Sequence, residues 1–231
     1  MGPYWGCYLA SCRWAAWREG RNWKILLAFA LFLGLAIALS LAAATFPVLP
    51  FDVKIGQELG KERNPIFASL MQGVSEIGRP EVATPLIVGT AATLALLRRW
   101  LEAFFVLATA TGVALAILLK VVVARPRPMP DAGNDLLELF NQYGFPSGHV
   151  VFFVVFFGFV AYLAYSQLAG PLRWAVVALC GALILLIGPS RVFLGAHWAS
   201  DVAGGYLIGG LWLFLLILAY RWSVRRFRRA T

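Results

Sequence analysis

Charge is scarce in this sequence. Only 13% of its 231 residues are Asp, Glu, Lys or Arg, against roughly a quarter in a soluble domain. That shortage, with 61% hydrophobic residues and a mean hydropathy of +0.76, excludes an ordinary soluble fold and implies an integral membrane protein. Cysteine is nearly absent. Cys7, Cys12 and Cys180 give no disulfide framework, and their spacing matches no strong metal pattern. Acids are few as well, 11 in all, and they form no dense carboxylate set of the kind a two-metal site needs. The acids of one loop, Asp131, Asp135 and Glu138, are expected to be solvated or part of a lid. Long-period repeats, low-complexity tracts and long linkers are missing too, which implies one domain. Histidine occurs twice, at His149 and His197.

What the chain does have is long apolar runs. A membrane span takes about 20 mostly apolar residues. Six segments are predicted to span: Lys24–Thr45, Glu81–Leu97, Glu102–Val123, Val150–Gln167, Trp174–Pro189 and Val202–Tyr220. The expected architecture is an all-α membrane protein of six transmembrane helices with outer interfacial amphipathic helices. Residues 1–23 form a cytoplasmic segment, 24–220 the six-span domain and 221–231 a basic cytoplasmic tail. The net charge of +9 would suit a nucleic-acid partner, but its placement favours a membrane. With both termini inside, twelve of the 20 Lys and Arg fall in inner segments with only Glu19 and Glu102 beside them, as the positive-inside rule requires. The tail "RWSVRRFRR" suits anionic headgroups. The basic start and "LAAAT" resemble a signal peptide. The apolar run is longer than a usual signal core, so the first span is expected to be retained.

Between the first two spans, Phe51, Ile55 and Leu59 recur at helical spacing. Asn64-Pro65 reads as a helix start, with Asn64 as cap. Ile66, Phe67, Leu70, Met71, Val74 and Ile77 continue one apolar face. One or two amphipathic helices are expected in the outer interface, as packing elements or as a wall for a lipid substrate. In the last span, "GGYLIGG" sets small residues four apart, a pattern for close helix packing.

Threading six spans brings three polar clusters to one face. Lys120, Arg125 and Arg127 end the third span. Ser147 and His149 begin the fourth, and Ser190, Arg191, His197 and Asp201 lie between the fifth and sixth. Pro126 and Pro128 are expected to stop the third helix near Ala124. Its cations could snorkel at the helix end or clamp an anion, Arg by a planar fork and Lys as a point charge. "FPSGH" feeds a helix whose free N–H groups suit an anion. Ser147 adds a donor there and Gly148 a close backbone approach. His197 and Asp201, four apart, would share a helix face. They make either a local ion pair or a carboxylate fixing an imidazole tautomer. Together the clusters hold the parts phosphoryl transfer needs: cations, a nucleophile and an acid.

The stretches K-x6-R-P (Lys120, Arg127, Pro128), P-S-G-H (Pro146–His149) and S-R-x5-H-x3-D (Ser190, Arg191, His197, Asp201) resemble the type 2 phosphatidic acid phosphatase superfamily of membrane lipid phosphatases. The motif region covers Lys120 to Asp201, and the six-span arrangement extends the resemblance to most of the chain. The resemblance implies that His197 attacks phosphorus to form a phosphohistidine, Asp201 orients it and His149 protonates the leaving group. Lys120, Arg127, Ser147, Gly148 and Arg191 would bind phosphate. It implies no metal and no other cofactor. Its substrate partner would be a lipid phosphate (undecaprenyl diphosphate, phosphatidylglycerophosphate or phosphatidate) in the bilayer of an inner membrane, with the site facing the periplasm or exterior. Val150 and Ala199 depart from the residues common beside the motifs, which bears on substrate shape. A phosphotransferase passing phosphoryl to an alcohol, or a non-catalytic membrane protein, are the other readings.

Overall fold

The computed structural model describes residues 22–128 and 143–230. Among these residues the secondary structure is helical, apart from one isolated antiparallel bridge between Pro126 and Tyr143. The helices are α1 (Asn22–Thr45), α2 (Pro50–Gly60), α3 (Pro65–Ile77), α4 (Pro80–Leu96), α5 (Trp100–Ala108), α6 (Ala110–Val123), α7 (Gly148–Phe152), α8 (Gly158–Gln167), α9 (Gly170–Phe193) and α10 (Ala199–Ala230). A π-helical turn, Phe153–Phe157, joins α7 to α8. The signal-peptide reading, Cys7, Cys12 and the acids Asp131, Asp135 and Glu138 fall outside the described residues.

Among the described residues, five helical stretches are long and apolar enough to cross a membrane: Trp23–Thr45, Trp100–Val123, Gly148–Gln167, Gly170–Phe193 and Ala199–Phe227. The segment expected as the second span is α4, a shorter helix of 17 residues with Pro85 inside it. The expected fifth span does not stop at Pro189. That proline is accommodated within α9, which runs on to Phe193 and so carries Ser190 and Arg191 on its last turns. The last helix also continues past Tyr220 through the basic residues to Ala230.

Proline sets several starts, standing in the first turn of α2, α3 and α4, where its missing N–H costs nothing. Asn64 caps α3 as expected, its side chain accepting from the N–H of Ile66 (2.9 Å) and Phe67 (3.3 Å). Ala124 closes α6 in the left-handed region (φ 50°), its N–H donating to the Lys120 carbonyl at 2.8 Å. Helix α6 therefore ends where Pro126 and Pro128 predicted.

The core is built around the π turn. Val150, Val151, Phe153 and Val155 are fully buried between α10, α6 and α9. The small residues of α10 make this possible. A Cβ on Gly205 would come within 2.9 Å of Val150 Cβ, and one on Gly209 within 3.0 Å of Val154 Cβ. The packing expected of "GGYLIGG" is thus met at Gly205 and Gly209, four residues apart.

Helices α2 and α3, expected in the outer interface, depart from expectation in one respect. In α2, Phe51 and Ile55 of the apolar spacing are exposed, while Asp52 is completely buried. Its polar side faces the protein because a set of buried donors waits there. In α3, Met71 and Val74 are buried as predicted, Ile66 and Leu70 are exposed, and Ser75 is buried with them.

The opposite end carries a second polar knot. Glu102 Oε1 accepts from Arg99 Nη2 (2.9 Å), Gln167 Nε2 (3.2 Å) and the Tyr220 hydroxyl (3.2 Å), while Gln167 Nε2 also donates to that hydroxyl (2.9 Å). Four polar groups thereby satisfy one another and tie α5, α8 and α10 together, a requirement for polar atoms buried among apolar helices.

Candidate active site

The end of α6, the start of α7, the end of α9 and the start of α10 converge. Lys120 has Arg127, Arg191 and Asp201 as electrostatic neighbours. His197 has Arg127, Arg191, Lys120 and His149. The three clusters separated in sequence therefore meet at one place. Lys120, Ser147, Arg191, His197 and Asp201 are all buried.

The backbone between α9 and α10 turns sharply. Gly195 adopts φ +67°, and the N–H groups of Ala196 (3.1 Å) and His197 (3.3 Å) both donate to the Arg191 carbonyl. His197 thus lies in a turn before α10, not on the same helix as Asp201. The expected proximity survives by another route. Asp201 sits at the third position of α10, and its Oδ2 accepts from the N–H of Trp198 at 3.0 Å, one half of a capping box. That cap leaves Oδ2 3.6 Å from His197 Nδ1. The other ring nitrogen, Nε2, is then the one available for chemistry. Burial first, then the positive charges of Arg127, Arg191 and Lys120, hold the His197 imidazole well below the usual histidine range. The ring is neutral at pH 7, as a nucleophile must be.

At the start of α7, Ser147 donates its N–H to the Asp201 carbonyl (3.1 Å), locking α7 to α10. Its hydroxyl makes no cap bond. Ser147 Oγ, His149 Nε2 and His197 Nδ1 are buried without hydrogen-bond partners among the described residues. Buried polar atoms are normally paired, and an orphan group calls for a reason. His197 Nδ1 has Asp201 Oδ2 beyond bonding reach at 3.6 Å, whereas Ser147 Oγ and His149 Nε2 sit near cations, which suits a bound anion. A Cβ on Gly148 would meet nothing within 4 Å, so the space beside its backbone is open, as the expected close approach requires. Arg127 Nε donates to the Tyr143 carbonyl at 3.3 Å, steering its side chain. On α9, Ser190 Oγ donates to the Met71 carbonyl at 2.5 Å, and Arg191 Nη1 donates to Ser75 Oγ. Both bonds pull the end of α9 onto α3.

Arg125 behaves differently from its expected partners. It is fully buried, with Nη2 2.7 Å from Asp52 Oδ2 and Nη1 2.6 Å from Asp201 Oδ1. Its guanidinium is held by carboxylates, so it is not one of the anion clamps. No local pattern signals this, because Asp52 lies far away in the chain on a helix whose apolar spacing points elsewhere. Ser75, Gly78 and Gly144 were missed for the same reason. A Cβ on Gly144 would stand 2.6 Å from Asp201 Oδ2.

The comparisons with known proteins decide the family. The model of the PAP2 superfamily matches residues 101–225. The chain belongs to the PAP2 superfamily. A phosphatidylglycerophosphatase B of Bacillus subtilis is 30% identical over 198 residues, covering 84% of this chain and 94% of its own. An undecaprenyl-diphosphatase of Sulfolobus acidocaldarius is 30% identical over 203 residues, covering 87% and 91%. The crystal structure of a PAP2-type phosphatidylglycerolphosphate phosphatase from Bacillus subtilis aligns with a TM-score of 0.71 and 27% identity, over 86% of this chain and 98% of that one. This PAP2 protein therefore shares both sequence and fold with membrane lipid phosphatases over most of its length.

Gly78, at the α3–α4 turn, borders the same candidate site. A Cβ there would collide with the His149 ring at Cδ2. Gly78 has φ −86°, which any residue adopts, so alanine brings only that collision. Gly78→Ala is expected to lower kcat by about 10²-fold, the scale of an ångström of misplacement, while the unfolding midpoint in detergent stays within a few degrees. An unaltered kcat would mean that the ring has room to yield.

Proposed function

We propose that this chain hydrolyses a phosphate monoester or diphosphate of a membrane lipid through a phosphohistidine intermediate. The observation that carries the reading is the pair of orphan polar atoms, Ser147 Oγ and His149 Nε2, beside His197 and amid Lys120, Arg127 and Arg191. A tetrahedral dianion offers acceptors to donors of this kind and charge to the cations. His197 Nε2 attacks phosphorus, the P–N bond forms and the bond to the leaving oxygen breaks. His149 gives that oxygen a proton, while Asp201 balances the charge growing on the His197 ring. Water, deprotonated by His149, then attacks phosphorus. The P–N bond breaks, phosphate leaves and both histidines return to their starting states. Lys120, Arg127, Arg191, Ser147 and the N–H of Gly148 hold the equatorial oxygens throughout. The cations already supply the positive charge that a metal would bring to this transfer.

The topology proposed is six spans with both termini in the cytoplasm and the site at the outer face of an inner membrane. Helix α4, at 17 residues, measures about 25 Å and falls at the short end of the range for a crossing. The positive-inside balance of the loops supports the orientation.

Candidate substrates are phosphatidylglycerophosphate, undecaprenyl diphosphate and phosphatidate. The first two are supported by the names of the relatives. The test is phosphate release from this panel by the full chain in detergent. Turnover is expected to persist in EDTA and to be inhibited by vanadate, a mimic of the five-coordinate phosphorus. Strict metal dependence would overturn the mechanism, and transfer of phosphoryl to an added alcohol without free phosphate would favour the phosphotransferase.

A further inference from the structure

We propose that Asp52 and Arg125 are positioning residues that set the orientation of Asp201 and, through it, aim His197. The proposal rests on the roles assigned above to His197 and Asp201. The geometry is a chain of buried bonds running from helix α2 to the candidate nucleophile. Asp52 accepts from the Leu49 N–H (3.1 Å), the Ser200 N–H (2.8 Å), the Ser200 hydroxyl (2.7 Å) and Arg125 Nη2 (2.7 Å). Arg125 in turn donates from Nε to the Pro47 carbonyl (3.0 Å), and from Nη1 to Ser200 Oγ (2.6 Å) and Asp201 Oδ1 (2.6 Å). Both side chains are completely buried.

The division of labour at Asp201 follows from this. Arg125 occupies Oδ1, so Oδ2 is the oxygen left for the Trp198 N–H and for His197 Nδ1. A carboxylate free to rotate could present either oxygen, or neither, to the imidazole. A planar guanidinium anchored at Pro47, Ser200 and Asp52 cannot follow such a rotation, so it fixes the carboxylate plane. Ser200 stands beside Asp201 on α10 and donates twice to Asp52, which holds the helix start in register with α2. Lysine at position 125 would keep the charge but lose the fork.

Stability alone does not account for the arrangement. A buried ion pair gains little over an apolar pair of the same volume, because both ions give up their hydration. Three ions buried together, one of them Asp201, point to a requirement for a particular geometry.

The test uses the full chain in detergent and its best lipid phosphate. Asp52→Asn, Arg125→Lys and the apolar pair Asp52→Leu with Arg125→Met are measured in the native background, and Asp52→Asn again in Asp201→Asn. The single variants are expected to lose kcat by about tenfold or more with KM within about threefold, the signature of an interaction made in the transition state. In the Asp201→Asn background, Asp52→Asn is expected to change the residual rate by less than about twofold, since residues acting as one unit are not additive. The apolar pair is expected to fold, with an unfolding midpoint at or above the native one, and to remain slow. Equal fold-losses in both backgrounds, native kcat in Asp52→Asn, or native kcat in a folded apolar pair would each overturn the proposal. If the Asp201→Asn residual rate is too low to read, the apolar pair decides. A His197→Ala variant separates the two levels. Native turnover there would remove the nucleophile itself, whereas a dead His197→Ala beside a fully active Asp52→Asn would remove only the positioning roles.

Discussion

His197→Asn should abolish lipid phosphate hydrolysis, leaving a rate roughly 10⁴-fold or more below the native one, the scale seen when a covalent nucleophile is deleted. The size follows from the route. A nucleophile that forms a bond to phosphorus has no partial substitute, because the cations and Ser147 can bind phosphate but cannot take the phosphoryl group. Asparagine keeps an amide near Asp201 and brings no charge to a buried site, so phosphate binding should persist. Product phosphate or vanadate is therefore expected to protect the variant against thermal unfolding as it protects the native chain, by mass action on the folded state. A second readout addresses the bond itself. Native enzyme quenched during turnover should carry a phosphoryl group that survives alkali and is lost in acid, as a phosphorus–nitrogen bond is, and the variant should carry none. Native turnover in purified His197→Asn, or a trapped phosphoryl group that persists in it, would move the nucleophile elsewhere.

The candidate site was more legible in the sequence than its support was. Lys120, Arg127, Ser147, His149, Arg191, His197 and Asp201 stand out because titratable groups beside long apolar runs are rare and costly, and their spacing matched a known family. The end of α6 at Ala124 followed from two prolines, and the cap at Asn64 from one. Asp52 and Arg125 could not be assigned in that way. Their roles depend on which face of a short amphipathic helix turns inward, and apolar spacing pointed to Phe51 and Ile55, which are exposed. In a membrane the usual inference reverses, since apolar side chains can face lipid at no cost while a polar one must find partners inside. Likewise, Gly78 and Gly144 matter for the side chains they leave room for, His149 and Asp201, and such contacts are long-range. Helix boundaries were the other limit. The predicted fifth span ends at Pro189, yet α9 absorbs that proline and carries Arg191 two residues further on its own last turn.

His149→Asn should slow lipid monophosphates far more than lipid diphosphates. In the proposed mechanism His149 is the general acid that delivers the proton an alkoxide needs to depart. An alkoxide is about as basic as hydroxide and so a very poor leaving group without a proton, so losing the proton donor should cost about 10²–10⁴-fold in kcat on phosphatidate. In a diphosphate attacked at its terminal phosphorus, the leaving group is itself a phosphate monoester, with a second pKa of about 6. It departs at pH 7 without help, and the loss there should be about tenfold or less on the first chemical step. The position of the ring supports this division: His149 Nε2 is buried with no hydrogen-bond partner among the described residues, and the ring packs against the bare backbone of Gly78, which leaves that nitrogen for the substrate. The proposed mechanism also makes His149 the base that activates water in the second step, which is the same for both substrates. Single-turnover measurements, reading the appearance of the dephosphorylated lipid, isolate the first step from it. An equal loss on both substrates in that first step would make His149 a phosphate ligand and not the acid. A larger loss on the diphosphate would reverse the assignment of its proton.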